Sequence, residues 1–306
     1  MKKRDLITID DLSSKEIFDI LKMARKLKKT PLSRKKSLKD KTFALLFQKP
    51  SNRTRISFEV AMVHLGGYAL YLSPEEIEMG TREPVRDVGC VISRYVDGIV
   101  ARVFAHQDIV DLAKYSNVPV INGLSDYAHP CQALSDVFTI MEKKTLEKTT
   151  VAYVGDGNNV HNSLLMVCAK TGVNMRISTP EGYGPPEEVF SEASKIAAST
   201  GAVFELFADP HKAVEGSDIV YTDVWVSMGQ EEEKEKRLRD FEKFQVNEQL
   251  MRAAKDDALI MHCLPAHRGE EITDVIDGKN SIVFDQAENR MHVQKAILLK
   301  VFGNKR

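Results

Sequence analysis

Several stretches of this 306-residue chain gather ionic and hydrogen-bonding side chains where an apolar run ends and a helical pattern begins. The first follows TFALLF and reads Gln48-Lys49-Pro50-Ser51-Asn52-Arg53-Thr54-Arg55, after which Ile56, Val60 and Val63 recur at helical spacing up to Gly66-Gly67. Ser51 is an N-cap by type. The turn it opens brings backbone N–H groups, two hydroxyls and two guanidinium groups to the positive end of a helix dipole, which suits a phosphate. Arginines on an ordinary capped helix point to solvent, but cations in a first turn oppose the dipole, so anion binding is the better reading.

A second stretch follows VPVI and runs through Asn122 to His129-Pro130-Cys131-Gln132. Pro130 fits the first helical position, which leaves His129 at a helix N-terminus. There a neutral imidazole donates to a carbonyl or phosphoryl oxygen. Arg102, directly after DGIVA, adds a cation past another strand end.

In the second half, TVAYV leads into Gly155-Asp156-Gly157-Asn158-Asn159-Val160, which begins like a dinucleotide fingerprint but has Val160 where the third glycine belongs. Glu181 falls near the place of a ribose-binding acid, so an NAD-dependent dehydrogenase stays open as a rival. Against it, two asparagines stand where a pyrophosphate needs bare backbone. DIVYT ends at Asp223 and continues through Trp225 to Ser227-Met228-Gly229, a lid or a surface loop ahead of the charge run Gln230–Arg237. ALIM gives way to His262-Cys263-Leu264, where Cys263 reads as a nucleophile with a His partner or as a structural thiol.

The elements that must position these residues read as α/β. Short apolar runs (TFALLF, YALYL, DGIVA, VPVI, then TVAYV, NMRI, AVFEL, DIVYT, ALIM, SIVF) alternate with helix-period segments, the rhythm of doubly wound parallel sheets covered on both faces. Ser13 and Glu16 form a capping box ahead of Ile17, Leu21, Ala24 and Leu27, and His292 to Phe302 reads as a last amphipathic helix. The length favours two domains with a cleft, divided at the polar stretch from Glu142 to Thr150.

Composition excludes several classes. Hydrophobic residues at 43% and charged residues at 28% are globular values, and 43 Lys+Arg against 44 Asp+Glu leave no global pull toward nucleic acid or an anionic membrane. The basic run from Arg25 to Lys36 reads as a solvated helix end. No apolar run is long enough for a membrane span, and the start MKKRDLITIDD turns acidic before a signal-type stretch forms, so a cytoplasmic protein is expected. The scattered Cys90, Cys131, Cys168 and Cys263 show no zinc or redox spacing and are expected to be reduced thiols.

Taken in order, the SNRT segment, HPCQ, GDGNN, DVWVSMG, HCLPAHRGEE and FDQAENR resemble the aspartate/ornithine carbamoyltransferase family along essentially the whole chain, most closely its ornithine-using branch. The resemblance implies two α/β domains bridged by helices with the active site in the interdomain cleft, assembled as a homotrimer or a multiple of trimers. It implies a carbamoyl-phosphate domain at residues 1–143 completed by 290–306, and an ornithine domain at 144–289. Carried over by position, the carbamoyl-phosphate side comprises Ser51, Asn52, Arg53, Thr54, Arg102, His129, Gln132 and Arg290, with backbone contacts from Cys263 and Leu264. The ornithine side comprises Asn159, Asp223, Ser227 and Met228. Two positions depart from the family's pattern: Asn52 replaces a threonine by an amide that still donates, and Glu78 stands where a glutamine is common.

Carbamoyl phosphate pairs a dianionic leaving group with a carbonyl whose carbon becomes tetrahedral, so cations and N–H groups are needed on one side and neutral donors on the other. Arg53, Arg102 and the 51–54 segment suit the phosphate; His129, Gln132, Thr54 and Arg290 suit the carbonyl oxygen. The amine must attack uncharged, with the departing phosphate as its proton acceptor. Direct transfer needs no covalent intermediate, which lowers Cys263 as a nucleophile, and neither a metal nor an organic cofactor is expected. An aspartate-using enzyme would need cations where this chain offers Asp223 and Ser227-Met228-Gly229.

Overall fold

The computed structural model describes residues 3–31, 36–227 and 231–302. The chain divides into two compact units, Met1–Phe138 with Asn289–Arg306, and Thr139–Glu288. Both divisions fall inside helices, Pro130–Lys143 and Val283–Phe302.

The first unit holds a four-stranded parallel sheet built from β1 (Thr42–Phe47), β2 (Tyr68–Leu72), β3 (Gly98–Arg102) and β4 (Val120–Leu124), in the order β2-β1-β3-β4. β1 and β3 are buried almost throughout, which is why their residues are apolar without alternation. Order reverses between β1 and β3, the place where open α/β sheets bind ligands beyond their carboxyl ends. On the β4 edge, the Leu6 N–H donates to the Val120 carbonyl and the Asn122 N–H to that of Leu6, so the N-terminal segment covers a ladder that would otherwise be open.

The second unit holds a five-stranded parallel sheet of β5 (Thr150–Val154), β6 (Asn174–Ser178), β7 (Phe204–Phe207), β8 (Ile219–Thr222) and β9 (Leu259–His262), in the order β7-β6-β5-β8-β9. Its reversal lies between β5 and β8. Among the described residues, no helix is long and apolar enough to cross a membrane.

Local signals explain most boundaries. Ser13 and Glu16 close their capping box on the helix Ser14–Lys29, whose buried residues include Ile17, Leu21, Ala24 and Leu27. Gly66 ends the helix Asn52–Leu65 at φ 84°, a left-handed conformation that glycine adopts without steric cost. One expectation is corrected. SIVF is not a strand: Ser281 makes one isolated bridge to Ile260, and Val283 already opens the last helix, which is nine residues longer at its start than His292. The buried face of the helix Asn52–Leu65 is Thr54, Phe58, Ala61, Met62 and Leu65, while Ile56 and Val63 are 57% and 63% exposed.

Candidate active site

The residues expected on the phosphate side converge beyond the reversal of the first sheet. Ser51 caps the helix Asn52–Leu65 by accepting from the Thr54 N–H at 3.3 Å, and Asn52 and Arg53 stand exposed on its first turn. Arg102 ends β3 with its side chain buried, at a register shift where it pairs with Leu124 after Ala101 has paired with Asn122. The residue skipped is Gly123, where a Cβ would meet the Ala101 carbonyl at 3.1 Å and the Thr54 methyl at 3.4 Å. Such an irregularity re-aims a side chain next to a site.

His129 precedes the helix Pro130–Lys143 and its carbonyl accepts from the N–H groups of Gln132 and Ala133. Burial drives its pKa well below the ordinary histidine value, and Arg290, Arg102, Lys49 and Arg53 add to the depression. The imidazole is therefore neutral at pH 7 and sits within a field of four cations. Gln132 is fixed at both ends of its amide: Nε2 donates to Asp136 at 2.7 Å and Oε1 accepts from Arg290 at 2.6 Å. Arg290 also donates to the Thr54 hydroxyl at 3.1 Å, which ties the last helix to the phosphate helix. Arg55, by contrast, turns away: it pairs with Glu59 at 3.0 Å and lies 3.8 Å over the Tyr71 ring.

The described residues expected on the acceptor side lie beyond the reversal of the second sheet. Asp223 follows β8 and is buried; its two oxygens accept from Asn158 Nδ2 at 2.8 Å and from the Cys263 thiol at 2.9 Å. Asn158 is also the N-cap of the helix Asn159–Thr171, accepting from the N–H groups of Val160 and His161. Asn159 accepts from the Val160 N–H at 2.9 Å and is half-buried, as is Ser227. Met228 lies outside the described residues. The buried Arg237 pairs with Asp156 at 3.1 Å and with Glu233 at 3.0 Å, and donates to the Trp225 carbonyl. Burial lifts the Asp156 carboxyl to about 6 even against Arg237.

The turn after β9 has an unusual backbone, with Leu264 at φ 58° ahead of a cis Leu264–Pro265 bond. Asp223, His262 and Cys263 bring ligand-type atoms within 4.8 Å of one another. Both His262 nitrogens are engaged, Nδ1 by the Leu264 N–H at 2.8 Å and Nε2 by Glu271 at 3.2 Å, so a cation there would have to displace one of these partners. Glu78, the other departure, faces Arg82 at 3.9 Å.

The fingerprint-like loop is closed to a dinucleotide by its own chain. A Cβ on Gly157 would lie 2.5 Å from the Gly184 backbone, and the Gly157 N–H donates to Tyr183 at 2.8 Å. The glycine thus admits residues 183–185, and the Asn158 side chain takes the helix N–H groups a pyrophosphate would use.

Sequence reasoning passed over Lys49, Asn158 and Arg237. Lys49 stands two residues past β1 and is buried over the Phe104 ring at 4.9 Å, so the rule that found Arg102 applies to it equally.

The family model for the aspartate/ornithine carbamoyltransferase carbamoyl-P binding domain matches residues 4–142, and that for the Asp/Orn binding domain matches 147–301. The chain belongs to this family. Its relatives include the anabolic ornithine carbamoyltransferase of Pyrococcus furiosus, 55% identical over 98% of this chain and 96% of the relative, and the ornithine carbamoyltransferase of Pyrococcus abyssi, 54% identical over 99% and 97%. Among solved structures, an ornithine carbamoyltransferase from Pyrococcus furiosus superposes with a TM-score of 0.95 at 54% identity, covering 99% of this chain and 98% of its own. An anabolic ornithine carbamoyltransferase from Campylobacter jejuni superposes at 0.94 with 41% identity, covering 99% and 100%.

Proposed function

We propose that this chain transfers the carbamoyl group of carbamoyl phosphate to the side-chain amine of L-ornithine, giving L-citrulline and phosphate. The observation that carries the reading is the neutral, buried His129 in the field of Arg290, Arg102, Lys49 and Arg53. Cations around a neutral donor match a substrate that is a dianion at one end and a carbonyl at the other. Arg53, Arg102 and the N–H groups opened by Ser51 and Asn52 hold the phosphate. His129 donates to the carbonyl oxygen as it gains charge, and Arg290, braced by Thr54 and Gln132, stabilises the same charge.

On the acceptor side Asp223 takes the α-ammonium of ornithine, with Asn159 and Ser227 bounding the rest. A side-chain amine with an ordinary pKa near 10.4 costs about 4–5 kcal/mol to deprotonate at pH 7. Desolvation offsets part of this, and the departing phosphate accepts the remaining proton. Aspartate would bring a second carboxylate toward Asp223, and the cation Arg237 is already matched by Asp156 and Glu233.

A homotrimer is the assembly this reading favours. In its support, Ile56 and Val63 on the phosphate helix and Tyr68 and Leu70 on the edge strand β2 leave apolar surface exposed on the first unit. None of the four cysteines is in a disulfide, in keeping with a cytoplasmic setting.

An assay of carbamoylated product with ornithine, putrescine, acetylornithine and aspartate as acceptors tests the reading. Ornithine is expected to be turned over far faster than the rest. Preference for aspartate, or no product with any of them, overturns it.

A further inference from the structure

The carboxylate of Glu271 is fully buried on the second unit and is not among the residues assigned to either substrate. A buried carboxylate is costly unless its oxygens are matched. Burial pushes its carboxyl up, but the His262 ring and the His267 N–H outweigh this and hold it below the usual carboxylate range.

His262, the last residue of β9, is itself fully buried, and its N–H donates to Gln286 Oε1 at 3.0 Å. Its Nε2 lies 3.2 Å from Glu271 Oε1, and its Nδ1 accepts the Leu264 N–H at 2.8 Å. An imidazole nitrogen that accepts from a backbone amide carries no proton, so the ring hydrogen is on Nε2 and points at Glu271. The Leu264 bond closes a turn two residues long and holds a γ-branched residue at φ 58°, where side chains are disfavoured. Cys263, between the two, reaches Asp223 from that turn.

We propose that Glu271 is a positioning residue of the acceptor site: it selects the His262 tautomer that clamps the Leu264 amide, and thereby sets the turn that presents Cys263 to Asp223. With no acceptor at Glu271, the ring hydrogen is free to move to Nδ1, where it meets the Leu264 N–H donor to donor and the turn opens. The consequence for catalysis rests on the proposed carbamoyl transfer to ornithine; the tautomer does not.

The test compares Glu271→Gln and Glu271→Ala by steady-state kinetics and by nitrogen-15 NMR of the His262 ring, with its resonances assigned through His262→Gln. The wild type is expected to show only the Nε2–H tautomer. Glu271→Gln keeps an oxygen acceptor, so it should retain that tautomer and stay within about threefold of wild-type kcat/KM for ornithine. Glu271→Ala should show mixed tautomers and lose about 10–100-fold in kcat/KM for ornithine, a cost typical of a displaced positioning group. A folded Glu271→Ala protein with intact kinetics, or a glutamine variant as impaired as the alanine one, overturns the proposal. Should the alanine variant fail to fold, an Nδ1–H tautomer in the wild type overturns it equally. A wild-type protein inactive on ornithine but with the expected tautomer contradicts the functional reading and leaves the positioning role standing.

Discussion

The thiol of Cys263 donates to Oδ1 of Asp223 across 2.9 Å. A sulfur engaged as a donor to a carboxylate is placed to orient that carboxylate, which differs from the paired thiolate of a nucleophilic cysteine. Cys263→Ser keeps a donor and should retain activity within about tenfold, whereas Cys263→Ala should raise KM for ornithine further. Rapid-quench single turnovers should contain no carbamoyl-thioester; trapping one would restore the covalent route.

Asp223 is expected to carry ornithine affinity. Removing its charge in Asp223→Asn leaves the Asn158 amide and the acceptor's ammonium without their anion, and a hydrogen bond to a charged group is worth about 1.5–3 kcal/mol. KM for ornithine should rise about 10–100-fold while the affinity for phosphate, read by calorimetry, stays the same.

The residues themselves show why some of this was readable in advance. β1 and β5 coincide with TFALLF and TVAYV because strands buried between helical layers are runs of apolar residues bounded by polar ones; β2 coincides with YALYL although Tyr68 and Leu70 on this edge strand are exposed. SIVF has the same look, but Phe284 is 71% exposed and the run is the start of a helix, a distinction that four residues do not encode. Ile56 and Val63 follow helical spacing yet face outward, since periodicity marks an apolar stripe without saying what covers it. Of the candidate site, the residues that follow strands stood out, Arg102 and Asp223 among them. Gln132, Arg290 and Thr54 meet across 158 and 236 residues of chain, a relation that only the fold or a family resemblance supplies.

The pH dependence of turnover should come from the substrate amine. His129 is held well below its ordinary value by burial and its cationic neighbours, so it is neutral across the range in which the enzyme is assayed above pH 6.5. With ornithine subsaturating, kcat/KM should rise about tenfold per pH unit between 6.5 and 9, as the uncharged amine becomes more abundant. A flat profile contradicts attack by the neutral amine.

Stability should respond to pH through His161. Its ring is fully buried 4.3 Å from Tyr153, neither nitrogen has a partner among the described residues, and burial lowers its pKa to about 3. The unfolded chain takes up a proton near the ordinary value of about 6.5 and the native state does not, so stability is complete above that value and is lost as pH falls toward 3. His161→Phe should flatten the fall in unfolding free energy between pH 7 and 5, measured by urea titration. An unchanged slope would mean the ring is charged or hydrated in the folded protein.

The measurement closest to the central claim is kcat/KM for carbamoyl phosphate in Arg53→Gln, because Arg53 is exposed and its loss should leave the fold intact. Gathered cations holding a dianion predict a fall of at least about 100-fold, at the upper end for one lost charged contact, with the melting temperature of the unliganded protein unchanged. Wild-type kcat/KM in that variant would contradict the account.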